Sequence, residues 1–189
     1  MQSEEKNGLH TQAALVLVCA IAYFYAYHVN MYWFNWTEFS HGTNWVFLPS
    51  GLRLLMVLVL PVEAALGIVL ASLVINYTSM PDAHVLNIVT SLICGGAPYL
   101  SRFIAVRFLQ LNPQLAGLTS AEFFKLSVLF AIANATLHQI WYARNGFTEN
   151  WLQSEMVMCI GDWVGTVLVL ALASLLIKGF KRTRGSLNR

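Results

Sequence analysis

The sequence predicts an all-α fold, a polytopic transmembrane helix bundle of about six spans, and three observations lead there. Apolar residues make up 57% of the 189 residues and charged residues 11%, against roughly 45–50% and 25% in a soluble domain. The apolar residues gather into runs close to the roughly 20 needed to cross a hydrocarbon core. The charges fall mostly at the ends of those runs. Water is the wrong solvent for such a surface.

The runs are 11–29, 45–60, 62–77, 85–107, 122–143 and 153–178. The first is preceded by Gln2-Ser3-Glu4-Glu5-Lys6 and followed by bulky aromatics rather than a small-residue cleavage site. It therefore reads as a retained helix and not a signal peptide, with residues 1–10 as a cytoplasmic N-terminal segment. Between the first two runs, Tyr32, Trp33, Trp36, Phe39 and Trp45 give the chain the aromatic richness of a segment lying in the membrane interface. The second and third runs are short and separated only by Pro61, which suits the first turn of a restarting helix. Two short spans meeting in a tight turn, or one bent hairpin, both fit. In the fourth run, Cys94-Gly95-Gly96-Ala97-Pro98 predicts a kink or an unwound turn, because proline removes a backbone donor and freed groups then need other partners. The sixth run holds Gly161-Asp162-Trp163-Val164-Gly165, a GxxxG whose missing side chains let another helix approach and shield Asp162 from lipid. The bundle is expected over 11–178, and 179–189 is a basic cytoplasmic tail that touches anionic lipid at about 1 kcal/mol per basic residue near the surface.

Short cytoplasmic loops retain lysine and arginine, and this fixes an expected orientation. The tail with Lys178, Lys181, Arg182, Arg184 and Arg189 is placed in the cytoplasm, as is the connection flanked by Arg102, Arg107 and Lys125. Segments 30–44 and 78–84 contain neither residue type, and 144–152 holds only Arg144. Both termini then face the cytoplasm, with the chain in a bacterial inner membrane.

Several function classes fall away. Nine acidic residues nearly balance eleven basic ones, so nothing points to nucleic acid. Cys19, Cys94 and Cys159 sit in apolar runs without CxxC spacing and read as small buried hydrophobes. No Walker loop, nucleophile elbow, HExxH or zinc-ligand spacing is present, so no catalytic residue, metal or cofactor is expected, and the chain does not read as an enzyme.

Polar residues inside spans are the informative ones, because each is costly in hydrocarbon unless it faces the bundle interior or a partner. Counted from the outer ends, Arg53 lies roughly 12 Å deep and Asp162 roughly 10 Å deep at a helical rise of about 1.5 Å. These opposite charges can therefore share one level. Asn134 and His138, one turn apart, lie on one face of the fifth span, and Asn76 and Asn87 sit near the outer ends of the third and fourth. Arg53, Asn134, His138 and Asp162 are the candidate ligand-binding residues of a polar cluster opening outward. The alternative for each is structural: a buried ion pair fixing helix register, and interhelical hydrogen bonds.

Asn44-Trp-Val-Phe-Leu-Pro-Ser-Gly-Leu-Arg-Leu-Leu, followed by Val62-Glu-Ala-Ala-Leu-Gly-Ile-Val-Leu-Ala-Ser, resembles the opening of the membrane-associated sensor (MASE) domains. Cys94-Gly-Gly-Ala-Pro-Tyr-Leu-Ser-Arg-Phe and Ile160-Gly-Asp-Trp-Val-Gly-Thr-Val-Leu-Val-Leu resemble that family's later helices. The similarity covers about residues 44–177, and Pro49, Gly51, Gly161, Asp162 and Gly165 are the matching positions, whereas Arg53 and His138 stand outside the pattern. Typical members have about eight spans and are fused to cytoplasmic signalling modules. The resemblance thus implies a stand-alone, shorter sensor-like domain that senses a small molecule or membrane condition and relays to a separate signalling protein. Two other classes fit the same residues, a solute-binding membrane component of a vitamin-type transporter and a structural subunit of a membrane complex.

The tail has no apolar face to bury, so it is dispensable for folding. Truncation after Arg182 is expected to leave the yield of membrane-inserted, detergent-soluble protein unchanged. Loss of that protein would refute the assignment.

Overall fold

The computed structural model describes residues 2–40, 42–112 and 119–187. Six α-helices appear among them: α1 (Gln2–Phe34), α2 (Leu48–Val59), α3 (Pro61–Ser79), α4 (His84–Phe108), α5 (Ser120–Arg144) and α6 (Trp151–Leu187). A 3-10 turn at Asn35–Thr37 and a small antiparallel hairpin, β1 (Glu38–Ser40) with β2 (Thr43–Asn44), join α1 to α2. Neither residue 10 nor residue 178 marks a break, since α1 and α6 run helically through both positions. Arg189 lies outside the described residues.

Five of these helices are long and apolar enough to cross a membrane. Their burial is inverted relative to a soluble protein. Leu17, Leu66, Leu92, Ile140, Leu168 and Leu172 face outward, while Asn30, Arg53, Asn87, Asn134, Gln139 and Asp162 are buried. Only a hydrocarbon solvent makes that arrangement favourable, and the chain is a multi-pass membrane protein.

The expected second span, 45–60, is different from the others. Its helix, α2, has only 12 residues, roughly 18 Å at a rise of about 1.5 Å, against a core of roughly 30 Å. Pro49 sits in its first turn, where a missing N–H is tolerated, and residues 45–47 ahead of it are not helical. At its other end Leu60 leaves helical geometry, which a following proline favours, and Pro61 opens α3. The break between α2 and α3 is thus built from one proline.

The five long helices make an open ring in the order α1, α3, α4, α5, α6, and α2 fills the gap, touching α1, α3, α4 and α6. Close approach is set by small residues. A Cβ on Gly67 would collide with the Val16 carbonyl of α1, and one on Gly95 with the Ala65 carbonyl of α3. The Cys94–Pro98 stretch does not unwind, because α4 is helical throughout His84–Phe108, and Gly95 serves as the contact point for α3. Thr119 and Glu122 form a reciprocal capping box that starts α5.

Gly161 admits non-helical chain, and Gly165 admits both that chain and the first turn of α2 at Gly51. A Cβ at Gly161 would strike the Asn44 carbonyl, and one at Gly165 the Phe47 carbonyl. The Phe47 N–H donates to the Gly161 carbonyl at 3.2 Å. The small-residue groove therefore holds the non-helical chain that enters α2, satisfying backbone that hydrocarbon could not.

The hairpin is fastened over the same end of the bundle. Gln139 Nε2 donates to Thr43 Oγ1 at 3.0 Å, and Thr148 donates to Gln139 Oε1 at 3.0 Å. Asn30 on α1 accepts from the Leu48 N–H at 2.9 Å, capping the buried start of α2. The five aromatic residues of this segment, Tyr32, Trp33, Trp36, Phe39 and Trp45, are all exposed, whereas Thr37, Thr43 and Asn44 among them are buried.

Gly161→Ala is expected to lower stability by about 1–3 kcal/mol through overpacking. Gly96→Ala meets nothing within 4 Å and should be neutral or stabilising by up to about 1 kcal/mol. Thermal unfolding in detergent, read by loss of the monodisperse peak, separates the two. Equal behaviour would show that the groove is not close-packed.

Candidate functional site

Each of the six helices contributes a polar side chain to one cavity: Tyr23, Arg53, Ser72, Thr90, Asn134 and Asp162. Asp162 lies roughly 16 Å along α6 from its start at Trp151, at a rise of about 1.5 Å. Arg53 reaches Asp162 from α2, with Nη2 3.5 Å from Oδ1. Both are at most 2% exposed.

Two further groups complete the pair. Ser50, one turn before Arg53, donates its hydroxyl to Asp162 Oδ1 and accepts from Arg53 Nη2 at 3.0 Å. Asn134 on α5 donates from Nδ2 to Asp162 Oδ2 at 2.5 Å and accepts from Arg53 Nη1 at 3.3 Å. Both carboxylate oxygens are thereby engaged. The guanidinium also lies against two aromatic rings, 5.6 Å from the Phe47 centroid and 5.5 Å from that of Phe130. The start of α2 adds its partial positive charge near the carboxylate, an interaction worth about 0.3–1 kcal/mol at a surface and up to roughly 2 when partly buried.

His138 is expected beside this pair, and the structure places it on the same cavity with other partners. Its Nδ1 lies 2.9 Å from the Asn134 main-chain oxygen and its Nε2 lies 3.5 Å from Cys94 Sγ on α4. Cys94 is therefore a half-buried member of the polar site rather than a small hydrophobe. Asn76 also lines the cavity and donates to Ser91 at 3.0 Å, whereas Asn87 holds the turn after α3 by donating to the Met80 carbonyl at 2.6 Å.

The cavity has a volume of about 100 Å³. It runs from Arg53 and Asp162 to Glu38, Gly42 and Ser79, which are exposed at the hairpin end. Four buried polar atoms on its lining residues complete no hydrogen bond within the protein, Asn44 Oδ1, Arg53 Nε, Ser72 Oγ and Thr90 Oγ1, although the Ser72 hydroxyl faces Tyr23 and Cys94 and that of Thr90 faces Tyr142. Leaving such a group unsatisfied costs about 1–3 kcal/mol. Among the described residues no three His, Cys, Asp or Glu side chains converge as a metal site.

Sequence reasoning missed Ser50, Ser72, Thr90 and Cys94. Ser50 carried one usable signal, since it stands at i−3 to Arg53 and so shares its face. The others are brought in by helix register that no spacing within a single run reveals.

Arg53→Leu or Asp162→Leu alone should destabilise the protein by about 3–5 kcal/mol, because each leaves an uncompensated buried charge. The double replacement should recover most of that loss. The check is a double-mutant cycle on unfolding in mixed micelles; additive losses would show that the two charges do not compensate each other.

Comparison with protein-family models, with curated proteins and with solved structures found no match to this chain.

Proposed function

We propose that this chain is a sensor-like domain of a bacterial inner membrane, which binds a small polar molecule from the outer side and relays occupancy to a separate signalling protein. One observation carries the reading: four buried polar atoms that complete no hydrogen bond within the protein line one cavity that reaches exposed residues at the hairpin end. A guest with donors and acceptors would satisfy them. The positions behind the resemblance to membrane-associated sensor domains support it further, because Gly51 packs on Gly165 and Pro49 stands beside Ser50, whose hydroxyl binds Asp162.

On this reading the chain crosses six times with both termini in the cytoplasm. The sixth crossing combines α2 with the non-helical residues 43–47, which can add up to about 16 Å at roughly 3.3 Å per residue to the roughly 18 Å of α2. The sum exceeds the roughly 30 Å required. Charge supports the orientation, since Arg107 and Lys125 lie at one end and Arg144 alone of the lysines and arginines lies at the hairpin end.

A second reading, the solute-binding membrane component of a transporter, is favoured by the broken crossing itself. Half-helix ends at mid-depth form the substrate sites of many transporters. The two readings share the cavity and differ in the partner.

Reporter fusions near Asp82 should behave as external and fusions after Lys181 as cytoplasmic; reversed signals overturn the orientation. Tagged protein should copurify with a kinase or cyclase if it senses. An energising ATPase in its place would select the transporter reading, and a fixed-stoichiometry membrane complex lacking both would select a structural subunit.

A further inference from the structure

Cys94 and His138 have a relation that the ion pair does not use. His138 Nδ1 lies 2.9 Å from the Asn134 main-chain oxygen. A carbonyl only accepts, so Nδ1 is the donor, and this contact selects the imidazole tautomer whose Nε2 is an acceptor. That nitrogen stands 3.5 Å from Cys94 Sγ. A thiol, a base and a group that orients the base make up the arrangement that activates a nucleophile.

A second observation points to a guest at the same place. Ser72 is 2% exposed and lines the cavity, and its hydroxyl, which faces Tyr23 and Cys94, completes no hydrogen bond within the protein. Thr90, one helical turn from Cys94 on the same face, is in the same state. Both hydroxyls can donate to an acceptor on a bound molecule. The cavity's volume of about 100 Å³ corresponds to about three waters at roughly 30 Å³ each, so the guest is small. It is also uncharged. Arg53 and Asp162 already neutralise each other, and an anion would add an uncompensated charge at a cost of several kcal/mol.

We propose that Cys94 is a covalent capture site for small uncharged electrophiles of the α,β-unsaturated carbonyl class. This rests on the ligand-binding reading above and names the ligand. His138 Nε2 takes the thiol proton as the sulfur electron pair forms a C–S bond to the β-carbon. The carbon–carbon π pair shifts toward the carbonyl, and the resulting enolate oxygen accepts from a cavity hydroxyl. The α-carbon then takes the proton back from His138. All atoms of thiol and electrophile remain in the adduct, and no oxidant or further reactant is needed.

The other cysteines are internal controls. Cys19 is buried, and Cys159 is half-buried against the cluster of Leu86, Ala135 and Met158. Purified full-length protein in micelles is treated with acrylamide, and adducts are followed by peptide mass spectrometry. Cys94 is expected to react at least about tenfold faster than Cys159, given the size of general-base effects. His138→Ala should erase that advantage, and His138→Gln serves should the alanine variant not fold. Equal rates at Cys94 and Cys159, or an advantage that survives loss of the imidazole, would overturn the proposal. Thr90→Cys in a Cys94→Ser background separates the two layers of the argument. If that thiol is alkylated while native Cys94 shows no advantage, the capture site fails and the open cavity stands. If neither reacts, the ligand-binding reading fails as well.

Discussion

The buried pair of Arg53 and Asp162 constrains everything around it. On insertion scales an isolated charge at the centre of a membrane helix costs about 2.5–3.5 kcal/mol, and breaking a buried pair costs about 3–5. α2 and α6 must therefore stay together with their charged faces turned inward. Because Arg53 sits in a helix of 12 residues, holding it against Asp162 obliges the chain ahead of α2 to descend into the bundle without helical hydrogen bonds. That descent is possible only where its backbone groups find partners. Gly161 supplies a carbonyl and Asn30 a side-chain oxygen, and the bare faces of Gly161 and Gly165 supply room.

The order of dependence explains which parts of the molecule were legible beforehand. The long helices follow from run length and polarity alone, since a crossing of roughly 30 Å has few solutions. The ion pair was legible because depth can be counted along a helix and hydrocarbon penalises an unpaired charge. The shortness of α2 was not. Trp45-Val46-Phe47 is apolar whether helical or extended, and composition carries no trace of the backbone conformation that Pro49 and the α6 groove impose. For the same reason the GxxxG stripe read as a seat for a helix alone, although beside α2 it also seats the non-helical chain that enters it. Small residues specify close approach and not the kind of element that approaches.

Cys94 was misjudged for another reason. In an apolar run a cysteine is most often a small hydrophobe, and its meaning depends on what α5 presents across the interface. The i, i+4 spacing of Asn134 and His138 put both on one face of α5. Nothing in the run 85–107 announced that Cys94 would meet the His138 ring. Its register is set by Gly95, whose bare face lets α4 settle against the Ala65 carbonyl.

The proposed relay has a physical route because α2 is the element that joins the cavity to the basic end. Its first turn supplies Ser50 to Asp162, and its last residue leads through non-helical Leu60 to Pro61 and the whole of α3. A guest that competes for Arg53 or Ser50 alters the hydrogen bonds that hold α2 against α6. Proline at the α2–α3 junction means that no continuous helix opposes a small change of angle there. α2 packs through Leu54 and Val57 as well as through its polar start, but it is the shortest helix and the one that carries both Ser50 and Arg53. On the proposed reading, the short helix is therefore the part of the bundle whose position depends most on what occupies the cavity.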